Sequence, residues 1–247
     1  MIRVAAVGDV HFGPDSRGNY RPSLSRLSER ADVFLIAGDL TRWGDPEEAR
    51  ALAEELHELP VPTFAVLGNH DYQSGREDDV VDVMAACGIR VLDGDGVTVE
   101  VGGVRVGIAG TAGFGGGFAG GHATDFGEPE TKAFVGRTIR MAGELEGALL
   151  DLDADVRIAL LHYSPVRETL SGEPPEIHAF LGSYLLAEAI DRAGADLALH
   201  GHAHRGTEKG ATPRGVHVRN VAWPVIEKAY ALYELEPRKA RREQLVR

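Results

Sequence analysis

The chain is expected to be an α/β protein. Short aliphatic and β-branched runs alternate with amphipathic stretches of helical period, and Gly, Pro and Asp residues punctuate the joins. With 247 residues, 43% of them hydrophobic, it can build one sizeable core. No internal repeat or linker divides it, so a single domain is expected over 1–236, followed by a charged tail over 237–247.

A strand is expected over 2–8, where Ile2-Arg3-Val4-Ala5-Ala6-Val7 runs into Asp9. A helical pattern covers 22–31 and an apolar strand 33–37. The next helix, about 45–57, carries its own start signal: Asp45 at the N-cap, Pro46 in the first turn, and Glu47 and Glu48 facing the positive end of the helix dipole. A strand at 62–67, a helix near 77–87 closed by Gly88, and a short strand at 89–92 continue the βαβ rhythm, which implies parallel pairing. Val97–Val101, Gly102-Gly103 and Val104–Ala109 read as a hairpin around a tight turn. The Gly-rich stretch 110–121 is expected to be a flexible loop, a lid or rim over a site. It is neither a P-loop nor a dinucleotide fingerprint, since no Gly-Lys-Ser/Thr follows and no helix opens on it. A long helix over 129–150, a strand at 156–161, a Pro-rich loop at 165–182, a helix at 183–193 and strands at 196–200, 216–221 and 229–235 complete the order.

The gross properties exclude several classes. A net charge of −12 argues against a general nucleic-acid binder, which needs a basic surface to replace counterions. The tail bases, Arg238, Lys239, Arg241, Arg242 and Arg247, read as a solvated terminus. Cys87 is the only cysteine, so neither an internal disulfide nor a thiolate metal cluster can form. No apolar stretch is long enough to span a bilayer, and the first strand begins too early for a cleavable leader; a cytoplasmic protein without membrane contact is expected.

Five blocks carry the chemistry: Asp9-Val10-His11, Gly38-Asp39, Gly68-Asn69-His70-Asp71, His162 and Gly201-His202-Ala203-His204. Each follows an apolar run and so lies at a strand end, where catalytic residues gather. Asp9 and His11 are two apart and, in an extended strand end, would grip one ion from the same side. Asp39 has two oxygens with which to bridge two cations, and Asn69 adds a neutral amide oxygen. His162, His202 and His204 supply imidazoles. A mixed N/O set without sulfur favours Mn, Fe or Zn and is too rich in His for Ca or Mg. Two divalent ions with Asp9, Asp39 and a bridging hydroxide keep a net positive charge, which suits an anionic phosphoryl group in an in-line displacement. His70 is left over as a general acid for the leaving oxygen, with Asp71 placed to fix or charge it. His122 and His178, in the long loops, are candidate substrate contacts.

As a set, these blocks resemble the calcineurin-like metallophosphoesterases over nearly the whole chain. The resemblance implies a four-layer αββα sandwich of two mixed β-sheets flanked by helices, with the metals at the C-terminal ends of the strands. It also implies that Asp9, His11, Asp39 and His204 hold one ion, that Asp39, Asn69, His162 and His202 hold the other, and that His70 donates the proton. The segment after Asp39, Leu40-Thr41-Arg42-Trp43-Gly44-Asp45, looks more like the bacterial phosphodiesterase branch than like the Ser/Thr protein phosphatases. The expected function is a two-metal phosphoesterase acting on a small phosphate ester, with Mn as the metal most expected in vitro. The reading leans to a phosphodiesterase on nucleotide-like substrates; the alternatives are a broad phosphomonoesterase or a non-enzymatic scaffold on the same fold.

Overall fold

The structure is a computed structural model that describes residues 1–238. Most of the expected tail lies outside the described residues. Its first members do not: the Arg238 backbone N–H donates to Asp155 O at 2.9 Å and its guanidinium reaches Asp196 at 3.1 Å, so the chain is tied to the fold beyond 236.

In chain order the strands are β1 (Ile2–Val7), β2 (Val33–Ala37), β3 (Thr63–Val66), β4 (Arg90–Val91), β5 (Asp95–Val101), β6 (Val104–Thr111), β7 (Gly117–Phe118), β8 (Gly121–His122), β9 (Val156–Leu161), β10 (Leu197–His200), β11 (Lys209–Ala211), β12 (His217–Asn220) and β13 (Ala231–Leu235). The helices are α1 (Leu27–Arg30), α2 (Pro46–Leu56), α3 (Glu77–Ala86), α4 (Pro129–Asp151), α5 (His178–Leu181), α6 (Tyr184–Ala193) and α7 (Trp223–Ile226).

Two mixed sheets form the centre. One has the order β13-β1-β2-β3-β4, with only the β13–β1 pairing antiparallel. The other runs β11-β12-β10-β9-β6-β5, antiparallel at both edges and parallel between. Strand alternation sorts the side chains into three apolar layers. Val4, Ala6 and Leu35 meet Ile108, Ile158 and Leu199 between the sheets. Ala5, Val7 and Ile36 turn outward to Leu52 and Leu56 of α2 and Met84 of α3. Ala159 and Leu161 turn the other way to Leu145 and Leu149 of α4 and Ile190 of α6. These layers make the four-layer αββα sandwich. Each fully buried Leu, Ile or Val adds about 1.5–3 kcal/mol of transfer free energy.

Local signals explain most boundaries. The Asp45 carboxylate accepts the Glu47 N–H at 2.9 Å and starts α2, and Ser183 caps α6 in the same way. Gly102 and Gly103, both at positive φ, close the β5–β6 hairpin. The helix expected over 22–31 is broken into a 3-10 turn, Arg21–Leu24, and the single turn α1. The cause is Glu55 of α2, whose carboxylate accepts the N–H groups of Gly18, Tyr20 and Arg21 and pins the approach to that segment. The Gly-rich stretch also departs from expectation. Gly110 and Thr111 belong to β6, residues 115–118 are buried, and β7 pairs with β8. Gly115 sits against the Ala179 carbonyl and the Phe134 ring, leaving no space for a side chain. It is a packed wall, with only the tip at 119–122 exposed.

Candidate metal centre

All five blocks converge at the C-terminal ends of the central strands. The parallel ladder between β1 and β2 continues past both strands, with Asp9 N–H donating to Gly38 O, His11 N–H to Asp39 O and Phe12 N–H to Leu40 O at 2.9–3.0 Å. Here the backbone departs from the extended form expected for Asp9-x-His11. Asp9, His11, Asp39 and His202 all adopt left-handed conformations, with φ of 56°, 42°, 49° and 68°. Such values in residues other than glycine cost about 1–3 kcal/mol each and persist only where surroundings enforce them. Gly68 and Gly201 supply the close approach: a Cβ on either would overlap the Asp39 or the Asp9 carboxylate, respectively.

The side chains form two ligand groups, Asp9–His11–Asp39–His204 and Asp39–His162–His202, each with its donor atoms within 4.8 Å of one another. Asp39 belongs to both. Its Oδ2 lies 3.7 Å from His11 Nε2, and its Oδ1 lies 3.5 Å from His162 Nε2. Asp9 Oδ1 is 2.8 Å from His204 Nε2. Asn69 Oδ1 is 2.9 Å from His162 Nε2, which joins it to the second group.

Three features fit divalent ions. His11 Nε2 is buried with no hydrogen-bond partner, an arrangement that needs an explanation. The His162 Nδ1–H donates to the Ala37 carbonyl at 3.0 Å, so Nε2 is an acceptor and faces another acceptor, Asn69 Oδ1. A cation between them resolves that conflict. The third feature is protonation. Burial lowers His11 to about 4 and His202 to about 3, and it lowers His162 as well, so these imidazoles are neutral, as ligands must be. The His202 Nε2–H donates to Phe180 O at 3.3 Å and leaves Nδ1 for a metal. His204 is raised by its bond to Asp9. For Asp9, burial works upward but is outweighed by His204 and His162, and the group settles at about 2. Asp39 goes the other way, to about 8, through burial and the nearby charges of Asp9 and Asp71. The second group therefore centres on a carboxylate that lacks positive charge.

His70 borders both groups. Its Nδ1–H donates to the Arg42 carbonyl at 2.6 Å, and its Nε2 points to the site, 4.0 Å from Asp39 Oδ2. Its backbone N–H donates to Asp39 Oδ1 at 2.9 Å. Asp71 does not play the part expected of it. It accepts from Leu40 N, Thr41 N, Thr41 Oγ1 and Gly68 N at 2.6–3.1 Å, and so ties the loop after β2 to the loop after β3. The main-chain carbonyl of Arg42, not a carboxylate, orients His70. Adjacency in sequence suggested the Asp71–His70 pair; the turn after Gly68 sends the two side chains apart.

His122 and His178 are not brought into either ligand group. His122 lies on exposed β8 with its ring 5.3 Å from Tyr184, and His178 bonds to Glu173 O at 3.3 Å and lines a cavity of about 340 Å³ with Arg167 and Glu176. His200 has a structural role: Nδ1–H donates to Gly201 O at 2.7 Å, and Nε2 accepts from Thr169 Oγ1 at 2.9 Å. Trp43 is 63% exposed beside the His70 ring, at the cleft mouth. Thr41, which anchors Asp71, escaped the sequence reading, adjacency to a ligand block being the one signal it carried. Tyr163, next to His162, packs its ring 4.4 Å from His202.

Two groups of possible ligands that share one carboxylate, set at the ends of two mixed sheets, form a candidate dinuclear metal site on an αββα sandwich. The chain belongs to the calcineurin-like phosphoesterase family, whose model matches residues 2–206. An uncharacterized metallophosphoesterase of Aquifex aeolicus is 35% identical over 103 residues, 40% of this chain and 39% of that protein. A probable cyclic nucleotide phosphodiesterase of Synechococcus is 29% identical over 80 residues, 28% of this chain and 31% of that protein. These matches thus span well under half the length of the curated relatives. The phosphopantetheinyl hydrolase of Mycobacterium tuberculosis shares the fold, with a TM-score of 0.69 and 16% identity over 95% of this chain and 96% of that one.

Proposed function

We propose that this protein is a dinuclear metal-dependent phosphoesterase with His70 as its general acid, acting as a phosphodiesterase on small nucleotide-like esters. One observation carries the reading: Asp39 is common to both ligand groups and lies 4.0 Å from His70 Nε2. When bound, two divalent ions, Mn²⁺ in vitro, hold phosphate charge and make a hydroxide available near neutral pH. The remaining work falls to the chain. Asp9 and Asp39 offset part of the metal charge and leave a surplus for an anionic ester. His70, held by Arg42 O, carries a proton on Nε2 toward the leaving oxygen. Burial keeps bulk water from Asp9, Asp39 and His162. The diesterase preference draws support from the probable cyclic nucleotide phosphodiesterase among the relatives. No helix among the described residues is long and apolar enough to cross a membrane, and the proposed setting is the cytoplasm, without general nucleic-acid binding.

The test is hydrolysis by the purified, Mn²⁺-reconstituted protein of monoesters, linear diesters and cyclic nucleotides, compared by kcat/KM. Diesters are expected to lead; a uniform preference for monoesters would move the enzyme to the phosphomonoesterases. Full turnover after exhaustive chelation sinks the two-metal reading. His70→Ala is expected to keep both ions and to lose about 10²–10⁴-fold on esters with poor leaving groups. Wild-type rates on those esters in this variant remove His70 as the acid.

A further inference from the structure

Arg137 of α4 stacks beside the centre in a position that the metal site does not explain. Its guanidinium carbon lies 4.5 Å from the Phe114 ring centroid and 5.5 Å from that of Tyr72, so two aromatic rings hold it. Tyr72 directly follows the His70-Asp71 block on the first sheet's side; Phe114 belongs to the packed Gly-rich wall on the second. The Phe114 ring packs 5.6 Å from Tyr163, whose ring lies 4.4 Å from the ligand His202. Arg137 is half-buried. Among the described residues it makes no ion pair and its N–H groups have no hydrogen-bond acceptor, although acidic residues outnumber basic ones 38 to 26 in the chain. Asp93 and Glu77 act on the Tyr72 hydroxyl, as Arg137 does, yet neither comes within ion-pair distance of the guanidinium.

A guanidinium stacked on aromatic rings is fixed in place through its faces, while its N–H edge stays free to bind an anion in two-point fashion. Ordering a long side chain without a protein acceptor makes sense when the acceptor arrives with a ligand. Tyr163 adds a second polar side chain nearby: its ring contacts Phe114, on which Arg137 stacks, and His202 of the second ligand group. In this series of contacts the rings of Phe114 and Tyr163 come between Arg137 and His202, which sets the guanidinium to the side of the ligand groups. We propose that Arg137, steadied by Phe114 and Tyr72, is a specificity residue that binds a second phosphate on the substrate, apart from the one being hydrolysed. The proposal rests on the phosphoesterase reading and deepens it: the preferred substrates are esters with two phosphates.

The experiment compares two chromogenic esters with the same leaving group, thymidine 5′-(p-nitrophenyl phosphate) with and without a 3′-phosphate, on the full chain with Mn²⁺. The 3′-phosphorylated ester is expected to show a kcat/KM about tenfold or more higher, the worth of one charge-assisted bidentate contact. Arg137→Met brings the ratio to about one, and Arg137→Lys restores part of it. A ratio near one in the wild type, or a ratio unaltered in Arg137→Met, overturns the proposal; an equal loss on both esters does the same, since it marks a structural role. Equilibrium binding of thymidine 3′,5′-bisphosphate against the 5′-monophosphate reads the same contact without turnover. If neither ester is hydrolysed, the phosphoesterase reading fails, and the binding ratio alone decides Arg137.

Discussion

Asp9 and Asp39 end neighbouring parallel strands, both buried and both in the left-handed backbone region, yet their carboxyls titrate on opposite sides of neutrality. The difference lies in their neighbours. Asp9 accepts the His202 N–H at 2.9–3.0 Å and is bonded to His204, so the protein itself compensates its charge. Asp39 accepts one N–H, from His70, and faces Asp9 and Asp71. Desolvation penalises both alike; donors and like charges decide the sign. One carboxylate is thus satisfied without metal, and the other needs cations to stand ionised.

Removing each in turn sharpens that contrast. Asp39→Asn is expected to deplete both ions and to cut turnover by about a thousandfold or more, the upper range for losing one preorganised electrostatic element. Asp9→Asn, in contrast, is expected to lose the ion of its own group and retain the one held by Asn69, His162 and His202. Metal analysis of the purified variants checks both, and equal stoichiometries would erase the distinction. Asp71→Asn is a control on the neighbouring charge. It forces a side-chain NH₂ against two of the four donors, since the remaining oxygen still accepts from the other two, and is expected to cost about 3 kcal/mol in urea unfolding, while the dependence of the rate on the leaving group, which reports the proton donor, stays as in the wild type. A loss confined to esters with poor leaving groups, as expected of His70→Ala, would restore Asp71 as the partner of His70.

The same comparison predicts how the metal-free protein responds to pH. The folded chain keeps a proton on Asp39 up to about 8, whereas an ordinary carboxyl releases it near 3.8; its contribution to stability therefore declines as pH rises between those values. Below 6.5 the buried imidazoles oppose this, because the fold holds His11 and His202 neutral while the unfolded chain takes up protons. Between pH 6.5 and 8 Asp39 acts without them, and His204, with its raised pKa, works in the same direction. In chelator, the urea midpoint is expected to fall across that window. Asp39→Asn should flatten the slope, and Mn²⁺ should reverse it; a level midpoint in the wild type would contradict the assignment of Asp39. The smallest effect is expected from Trp43→Ala at the rim, a few-fold rise in KM with kcat nearly constant, on the scale of one exposed aromatic contact.

The residues of the candidate ligand groups were legible because each belongs to a short block at the end of an apolar run, and the resemblance brought those ends together. The two-sheet arrangement was legible from resemblance, not from periodicity, since alternating elements only imply parallel pairing. What escaped the sequence reading depends on three-dimensional neighbours. Glu55, a helix residue, breaks the segment at 22–31 from a distance of more than 30 positions. The glycines at 115–117 look mobile in sequence and are instead small because neighbours press on them: α5 and the Phe134 ring on Gly115, Ser183 and Thr138 on Gly116, and the β8 backbone on Gly117. Strand β11 and helix α7, three and four residues long, are too short to show a period. Arg137 carried no signal at all, since its aromatic partners come from the loops after β3 and β6.

The ligand groups have one more consequence. Asp9, His11, Asp39 and Asn69 follow strands of the first sheet, while His162, His202 and His204 follow strands of the second. Each metal would therefore be a cross-link between the sheets, located at one end of the sandwich, whereas near the opposite end Arg238, which follows β13, ties the first sheet to Asp155 and Asp196 ahead of β9 and β10. Under load the molecule should behave like a hinged book with a clasp. Pulling the sheets apart from the metal end would meet a barrier that a chelator lowers, and pulling from the other would meet one that a chelator leaves unchanged and salt weakens.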